Sequence, residues 1–237
     1  MTRPFLLTLL AALTLCASAN AAPAPTLTTG KPQSGYMLVV HGGAWTIVGA
    51  GAVEAVAGHA RRYNQLGWQT DNIDYRPGAA SYADVLAAYD ALRERAGRRA
   101  NVCIFGSSAG GHLALMVAAR RPSVDCVITE GAPTDLPSTH GYVREAAGSY
   151  FPGDQLAAFS PARLRVKAPV LMVHARCDDV VRFGQAVTYQ SQNPRTRLIA
   201  LPGGRHTGYV HCAITDGALN RWHRAERRFL AAVDRAR

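Results

Sequence analysis

The chain has 237 residues, 48% of them hydrophobic and 18% charged, with 22 Gly and 13 Pro. That apolar fraction is too high for a disordered chain, the length suits one sizeable core, and five cysteines are too few for a small disulfide-framework protein. A formal net charge of +10 could favour nucleic acid, anionic lipid or acidic polysaccharide, but no nucleic-acid-binding motif accompanies it.

Arg3 is the only charge before Lys31, and Phe5 to Leu15 form an apolar run of signal-peptide length. Ala17-Ser18-Ala19 and Ala19-Asn20-Ala21 offer small-residue cleavage sites, so residues 1–21 are expected to be a signal peptide. The run is short for a membrane anchor, and Leu15 stands before Cys16 where a lipoprotein signal has a small residue. A secreted or periplasmic protein is expected, with no stable membrane insertion after cleavage. Such a chain keeps Cys103, Cys126, Cys177 and Cys212, enough for two disulfides in an oxidising compartment.

Residues 22–35, rich in Pro, Thr and Gly, read as an N-terminal arm or linker, and residues 36–237 as the catalytic domain. Tyr36 to Val40 reads as a buried strand, Ala52 to Leu66 as a weakly amphipathic helix, and Gln69 to Tyr75 as a strand stopped by Arg76-Pro77-Gly78. Ser81 with Asp84 looks like a capping box opening a helix striped by Val85, Leu86, Tyr89 and Leu92. Val102 to Phe105 reads as a strand and Ala109 to Arg120 as a helix. Cys126 to Thr129, Val170 to His174 and Leu198 to Leu201 are further strands; Gln185 to Gln192 and Gly217 to Asp234 are helices. Between Glu130 and Ala168 only a short helix around Tyr142 to Ala147 is expected, too little for a large lid. In the last helix Arg221, Arg224, Arg227 and Arg228 form a solvated basic face opposite Leu219, Trp222, Phe229, Leu230 and Val233. Strands alternating with helices imply an α/β fold: a mostly parallel sheet of about six to eight strands, helices on both faces, and functional residues at the strands' carboxyl ends.

Gly106-Ser107-Ser108-Ala109-Gly110 lies between a strand and a helix and fits G-x-S-x-G, the sharp turn that exposes a nucleophilic serine. A serine hydroxyl needs an imidazole to take its proton and a carboxylate to orient that imidazole. After the strand ending at His174 come Asp178 and Asp179; after the strand ending at Leu201 comes the glycine-rich loop carrying His206. Asp179 or Asp135 could replace Asp178, and His211 could replace His206. His206 comes soonest after its strand and is preferred. His41 and His112 read as structural, and His59, His140 and His223 as exposed. His41-Gly42-Gly43-Ala44-Trp45 follows the first strand, and the amides of Gly43, Ala44 and Ala109 would form an oxyanion hole.

HGGAW at 41–45, SAGGHLA at 108–114, Ser160-Pro161 and H-x-x-x-D-x-V-V at 174–181 resemble the α/β-hydrolases of small esterase type. The similarity is greatest to the kynurenine formamidase-like and the feruloyl or acetyl xylan esterase-like groups. The resemblance implies an α/β-hydrolase fold with nucleophile, acid and base on Ser108, Asp178 and His206, and no metal or organic cofactor. In that fold the loops of Cys177 and Cys212 are neighbours, so a Cys177–Cys212 disulfide is expected, whereas Cys103 and Cys126 are expected as buried thiols on adjacent strands. Ala175 and Arg205 depart from the groups' usual residues beside the site. The function implied is an exported serine esterase acting on a small-molecule or polysaccharide-linked ester, short-chain or aromatic in its acyl part, with Trp45, Tyr75 and Tyr209 as candidate substrate walls. An amidase, peptidase or acyltransferase would use the same residues.

Overall fold

A computed structural model describes residues 26–27, 34–151, 154–203, 206 and 216–236. In chain order its elements are β1 (Thr26–Leu27), β2 (Gly35–Val40), α1 (Ala50–Ala55), α2 (Ala57–Gln65), β3 (Trp68–Ile73), α3 (Ala80–Ala96) and β4 (Val102–Ser107). There follow α4 (Ala109–Arg120), β5 (Cys126–Glu130), α5 (Gly141–Tyr150), β6 (Val170–Ala175), α6 (Gly184–Gln192), β7 (Thr196–Leu201) and α7 (Asp216–Arg235). The sheet order is β1-β3-β2-β4-β5-β6-β7. β1 pairs antiparallel with β3 at one edge, and the other six strands are parallel.

The two-residue period of the strands sorts their side chains into two cores. Leu38, Val40, Val102, Ile104, Val127 and Met172 pack with α3 and α4 on one face. Met37, Val39, Phe105, Ile128 and Leu171 pack with Ala60 and Tyr63 of α2 and Leu230 and Val233 of α7 on the other. α4 is central, with ten of its twelve residues buried. Each large aliphatic side chain so buried contributes about 1.5–3 kcal/mol of transfer free energy. In α7 the arginines Arg221, Arg224, Arg227 and Arg228 are exposed while Trp222 and Leu230 are buried, the amphipathic division expected. Glu226 interrupts the apolar stripe, but it is wholly buried against Arg62 and accepts from the Tyr63 hydroxyl at 2.5 Å.

Four local expectations are revised. The helix expected over 52–66 is two, divided at Val56 (φ −109°, ψ 1°), in a segment that Gly49, Gly51 and Gly58 make a weak helix former. Ser81 does not cap α3: Ala79 precedes the helix and Ser81 is buried inside it. Asp84 is drawn away to Arg76, accepting from its backbone N–H at 2.8 Å and pairing with its guanidinium at 2.6 Å. His59, expected exposed, is 4% accessible and stacks on Phe105, while His140 and His223 are half-buried. Cys103 and Cys126, expected as thiols, form a disulfide. They are in-register partners on adjacent parallel strands with Cα atoms 4.6 Å apart, within bridging distance.

Candidate active site

β4 runs straight into the serine turn. Ser108 has φ 51° and ψ −119°, a conformation rare for a side-chain-bearing residue and costing about 1–3 kcal/mol. Its surroundings enforce it. The Ser108 N–H donates to the Glu130 carbonyl at 2.7 Å, and the Ser108 carbonyl accepts from His112 N–H at 3.1 Å. The flanking glycines answer to close approach: a Cβ on Gly106 would meet the Gly110 carbonyl oxygen at 2.3 Å, and one on Gly110 would meet that of Val40 at 2.3 Å. The small residues of the motif therefore let β2, β4 and α4 converge beneath the serine.

The loops after β6 and β7 deliver the carboxylate and the imidazole. His206 Nδ1–H donates to Asp178 Oδ2 at 2.9 Å. Nε2 is thereby left to accept from the Ser108 hydroxyl at 2.6 Å. Asp178 Oδ1 accepts from the N–H groups of Val180 (3.0 Å) and Val181 (2.8 Å). Burial alone would raise the Asp178 carboxyl, but hydrogen bonds from His174 and His206, the attraction of His206 when protonated and the Val181 amide outweigh it. Together they hold the group well below the ordinary carboxylate range. Among the alternatives, Asp179 is exposed and Asp135 pairs with Arg163 at 2.8 Å. His211 lies outside the described residues.

The 41–45 loop is bent against its preferences, with Gly43 at φ 109°, Ala44 at 49° and Trp45 at 62°. His41 Nε2–H donates to Asp74 Oδ1 at 2.9 Å. Asp74 also accepts from the N–H groups of Gly49 and Tyr75, each at 2.8 Å. Trp45 Nε1–H donates to His112 Nδ1 at 3.2 Å, and His112 Nε2–H to the Phe159 carbonyl at 2.7 Å. Complete burial lowers the His112 imidazole to about 4, so it stays neutral in this relay. With the loop so fixed, no backbone carbonyl among the described residues accepts from the N–H of Gly43, Ala44 or Ala109. All three residues line the cavity over Ser108.

That cavity has a volume of about 380 Å³. Trp45, Ile47, Val56, Tyr142 and Val143 give it an apolar wall, and His59 and Glu130 add a polar patch. Of the three expected substrate walls, Trp45 borders the cavity. Tyr75 does not: it is 1% exposed, stacks on His41 and donates to the carbonyls of His41 (3.0 Å) and Gly42 (3.1 Å). It braces the 41–45 loop through these contacts. Tyr209 and Cys212 lie outside the described residues, so the expected Cys177–Cys212 pairing does too; Cys177 is exposed on the Asp178 loop. Reading from the sequence alone missed Asp74, His174 and Glu130. Only His174 carried a signal, four residues before Asp178, where its Nε2 lies 3.3 Å from Asp178 Oδ2 and donates to the Val181 carbonyl at 2.7 Å.

Residues 65–233 match the model of the prolyl oligopeptidase family (Peptidase_S9), a span holding Ser108, Asp178 and His206. The chain belongs to the prolyl oligopeptidase family. Membership places it among the hydrolases of α/β-hydrolase fold, and solved structures agree on the fold. A truncated carbohydrate esterase from gut microbiota superposes with a TM-score of 0.70 at 18% identity, over 86% of this chain and 87% of that one. An acetyl ester-xyloside bifunctional hydrolase from Caldicellulosiruptor lactoaceticus gives 0.72 at 18% identity, over 88% and 86%. A puromycin-hydrolyzing peptidase from Mycobacterium tuberculosis gives 0.67 at 22% identity, over 87% of this chain and 35% of that one. No curated protein sequence matches significantly. The family therefore fixes fold and hydrolase class, while esterases and peptidases alike share this architecture.

Proposed function

We propose that this member of the prolyl oligopeptidase family is an exported serine esterase with Ser108, His206 and Asp178 as its catalytic triad. The carrying observation is the continuous relay from Ser108 Oγ through His206 to Asp178, with steps of 2.6 and 2.9 Å. His206 takes the hydroxyl proton as Ser108 attacks the ester carbonyl. The amides of Gly43, Ala44 and Ala109 receive the negative charge that develops on the carbonyl oxygen, each such donor supplying about 2.7–4 kcal/mol of barrier lowering. His206 then protonates the departing alcohol, and water, activated by the same imidazole, releases the acid from the acyl-enzyme.

A cavity of about 380 Å³ suits a short-chain or aromatic acyl ester. The apolar run Phe5 to Leu15, followed by Ala-x-Ala sequences, supports export, and a Cys103–Cys126 disulfide suits an oxidising compartment. A peptidase or amidase reading draws on the family and on the mycobacterial neighbour. The test is hydrolysis of p-nitrophenyl acetate, butyrate and octanoate beside aminoacyl p-nitroanilides, by wild type and Ser108→Ala. Turnover of the shorter esters, lost in the variant, is expected; exclusive turnover of anilides would favour the peptidase reading.

A further inference from the structure

Glu130 is a buried acid that the hydrolytic mechanism does not use. It is the last residue of β5, and its backbone carbonyl accepts the Ser108 N–H at 2.7 Å, so it is fixed beside the nucleophile. The residue is 4% exposed, on the sheet face covered by α2 and α7, and it lines the same cavity as Ser108 and His206. Its Oε2 lies 3.4 Å from His59 Nε2. Its Oε1 is buried and has no hydrogen-bond partner among the described residues. A carboxylate oxygen removed from water and left without a donor is strongly disfavoured, and buried polar atoms of this kind are partnered in the great majority of cases. Oε1 is sealed from solvent, so a donor carried by an occupant of the cavity meets it only when the carboxylate turns about its terminal torsion.

We propose that Glu130 is a specificity-determining residue, accepting a hydrogen bond from a free hydroxyl on the substrate, so that the enzyme prefers hydroxylated esters to their deoxy analogues. The proposal rests on the esterase reading and narrows its substrate class to esters of hydroxy acids or of polyols and sugars. A neutral hydroxyl fits better than an ammonium group. His59 already faces the carboxylate, Arg62 lies one turn further along α2, and both oppose the protonation of the nearby His223, whose imidazole burial lowers first. A site selected for a single such bond discriminates strongly against a ligand lacking it, because a bound deoxy analogue leaves the buried acceptor unpaired.

The test compares kcat/KM within matched pairs, p-nitrophenyl 3-hydroxybutyrate against p-nitrophenyl butyrate and glycerol 1-monobutyrate against propyl butyrate. Wild type, Glu130→Gln and Glu130→Leu are measured on both pairs, with p-nitrophenyl 3-aminobutyrate added. Wild type is expected to favour the hydroxylated member of at least one pair by about 10- to 100-fold. Glu130→Gln, which keeps a carbonyl acceptor, should retain part of that ratio, and Glu130→Leu should bring it near unity. A wild-type ratio within about twofold of unity in both pairs would overturn the proposal. So would a ratio that survives in Glu130→Leu, or a preference for the amino ester. If Glu130→Leu does not fold, the wild-type and Glu130→Gln ratios decide. Ester turnover that needs Ser108 but ignores the hydroxyl defeats the subsite alone, whereas folded protein that cleaves no ester defeats the esterase reading and the subsite with it.

Discussion

Gly110→Ala separates positional from helical effects because the two predict opposite signs. Gly110 is the second residue of α4, where alanine by propensity alone would stabilise the helix by about 0.5–1 kcal/mol. In the fold, however, the new Cβ lands 2.3 Å from the Val40 carbonyl oxygen and 2.4 Å from that of His41. Bringing the closer contact to 3.0 Å requires α4 and the start of the 41–45 loop to separate by about 0.7 Å. Ala109 and Ser108 stand on one side of that seam, Gly43 and Ala44 on the other. The displacement therefore moves the proposed oxyanion donors relative to the proposed nucleophile, and a misplacement near 1 Å costs about 100-fold in rate. We expect kcat on p-nitrophenyl acetate to fall by about 10- to 100-fold. Overpacking should also cost about 2 kcal/mol, lowering Tm by about 4–8 °C. Gly148→Ala in α5, where a Cβ meets nothing within 4 Å, is the control and should raise Tm slightly. A Gly110→Ala enzyme with wild-type kcat and an unchanged or raised Tm would refute the reasoning.

Other expectations follow from the same geometry. In the proposed triad Asp178→Asn removes the charge that would orient and stabilise the His206 imidazolium, and kcat should fall by about 10⁴ with little change in KM; a loss below tenfold would point to another carboxylate. His112, lowered to about 4 from an ordinary value of 6.5, ties stability to pH. The unfolded chain takes up a proton near pH 6.5 that the folded chain refuses until about pH 4. Its contribution is thus complete above pH 6.5 and fades as pH falls to 4, with a ceiling of about 3 kcal/mol. Urea unfolding of His112→Gln at pH 7 and 4.5 should show a smaller acid loss than wild type; an equal loss would contradict this. The Cys103–Cys126 bridge closes a loop of sequence separation 23, and replacing both cysteines by alanine should cost about 3 kcal/mol. Alkylation of both thiols in denatured, unreduced protein would show that no bridge exists.

What the sequence made legible is what local patterning controls. The Val102 strand, the serine turn and the Ala109–Arg120 helix were readable to within two residues, because an apolar run, a cluster of small residues and a 3.6-residue period meet there. Spacing from strand ends pointed to the loops of Asp178 and His206 but left Asp179 and His211 open as alternatives, and the family resemblance made the choice. Longer-range competition was invisible. Asp84 matches a capping box on paper, and only the fold reveals that Arg76 takes its carboxylate. Tyr75 sits at a strand end as a pocket residue would, yet the loop above it turns over the ring and buries it. Glu130 closes a strand with nothing in the local pattern to mark it, and only the fold shows it buried beside His59 of α2.

The central claim is that Ser108 is a nucleophile activated by His206. A fluorophosphonate reacts with such a serine whatever the natural substrate, and it can be followed by intact mass and peptide mapping. We expect one adduct per chain on the peptide containing Ser108, absent in Ser108→Ala and formed far more slowly in His206→Ala. Folded wild-type protein that stays unlabelled, or that carries the adduct on another residue, would contradict the account.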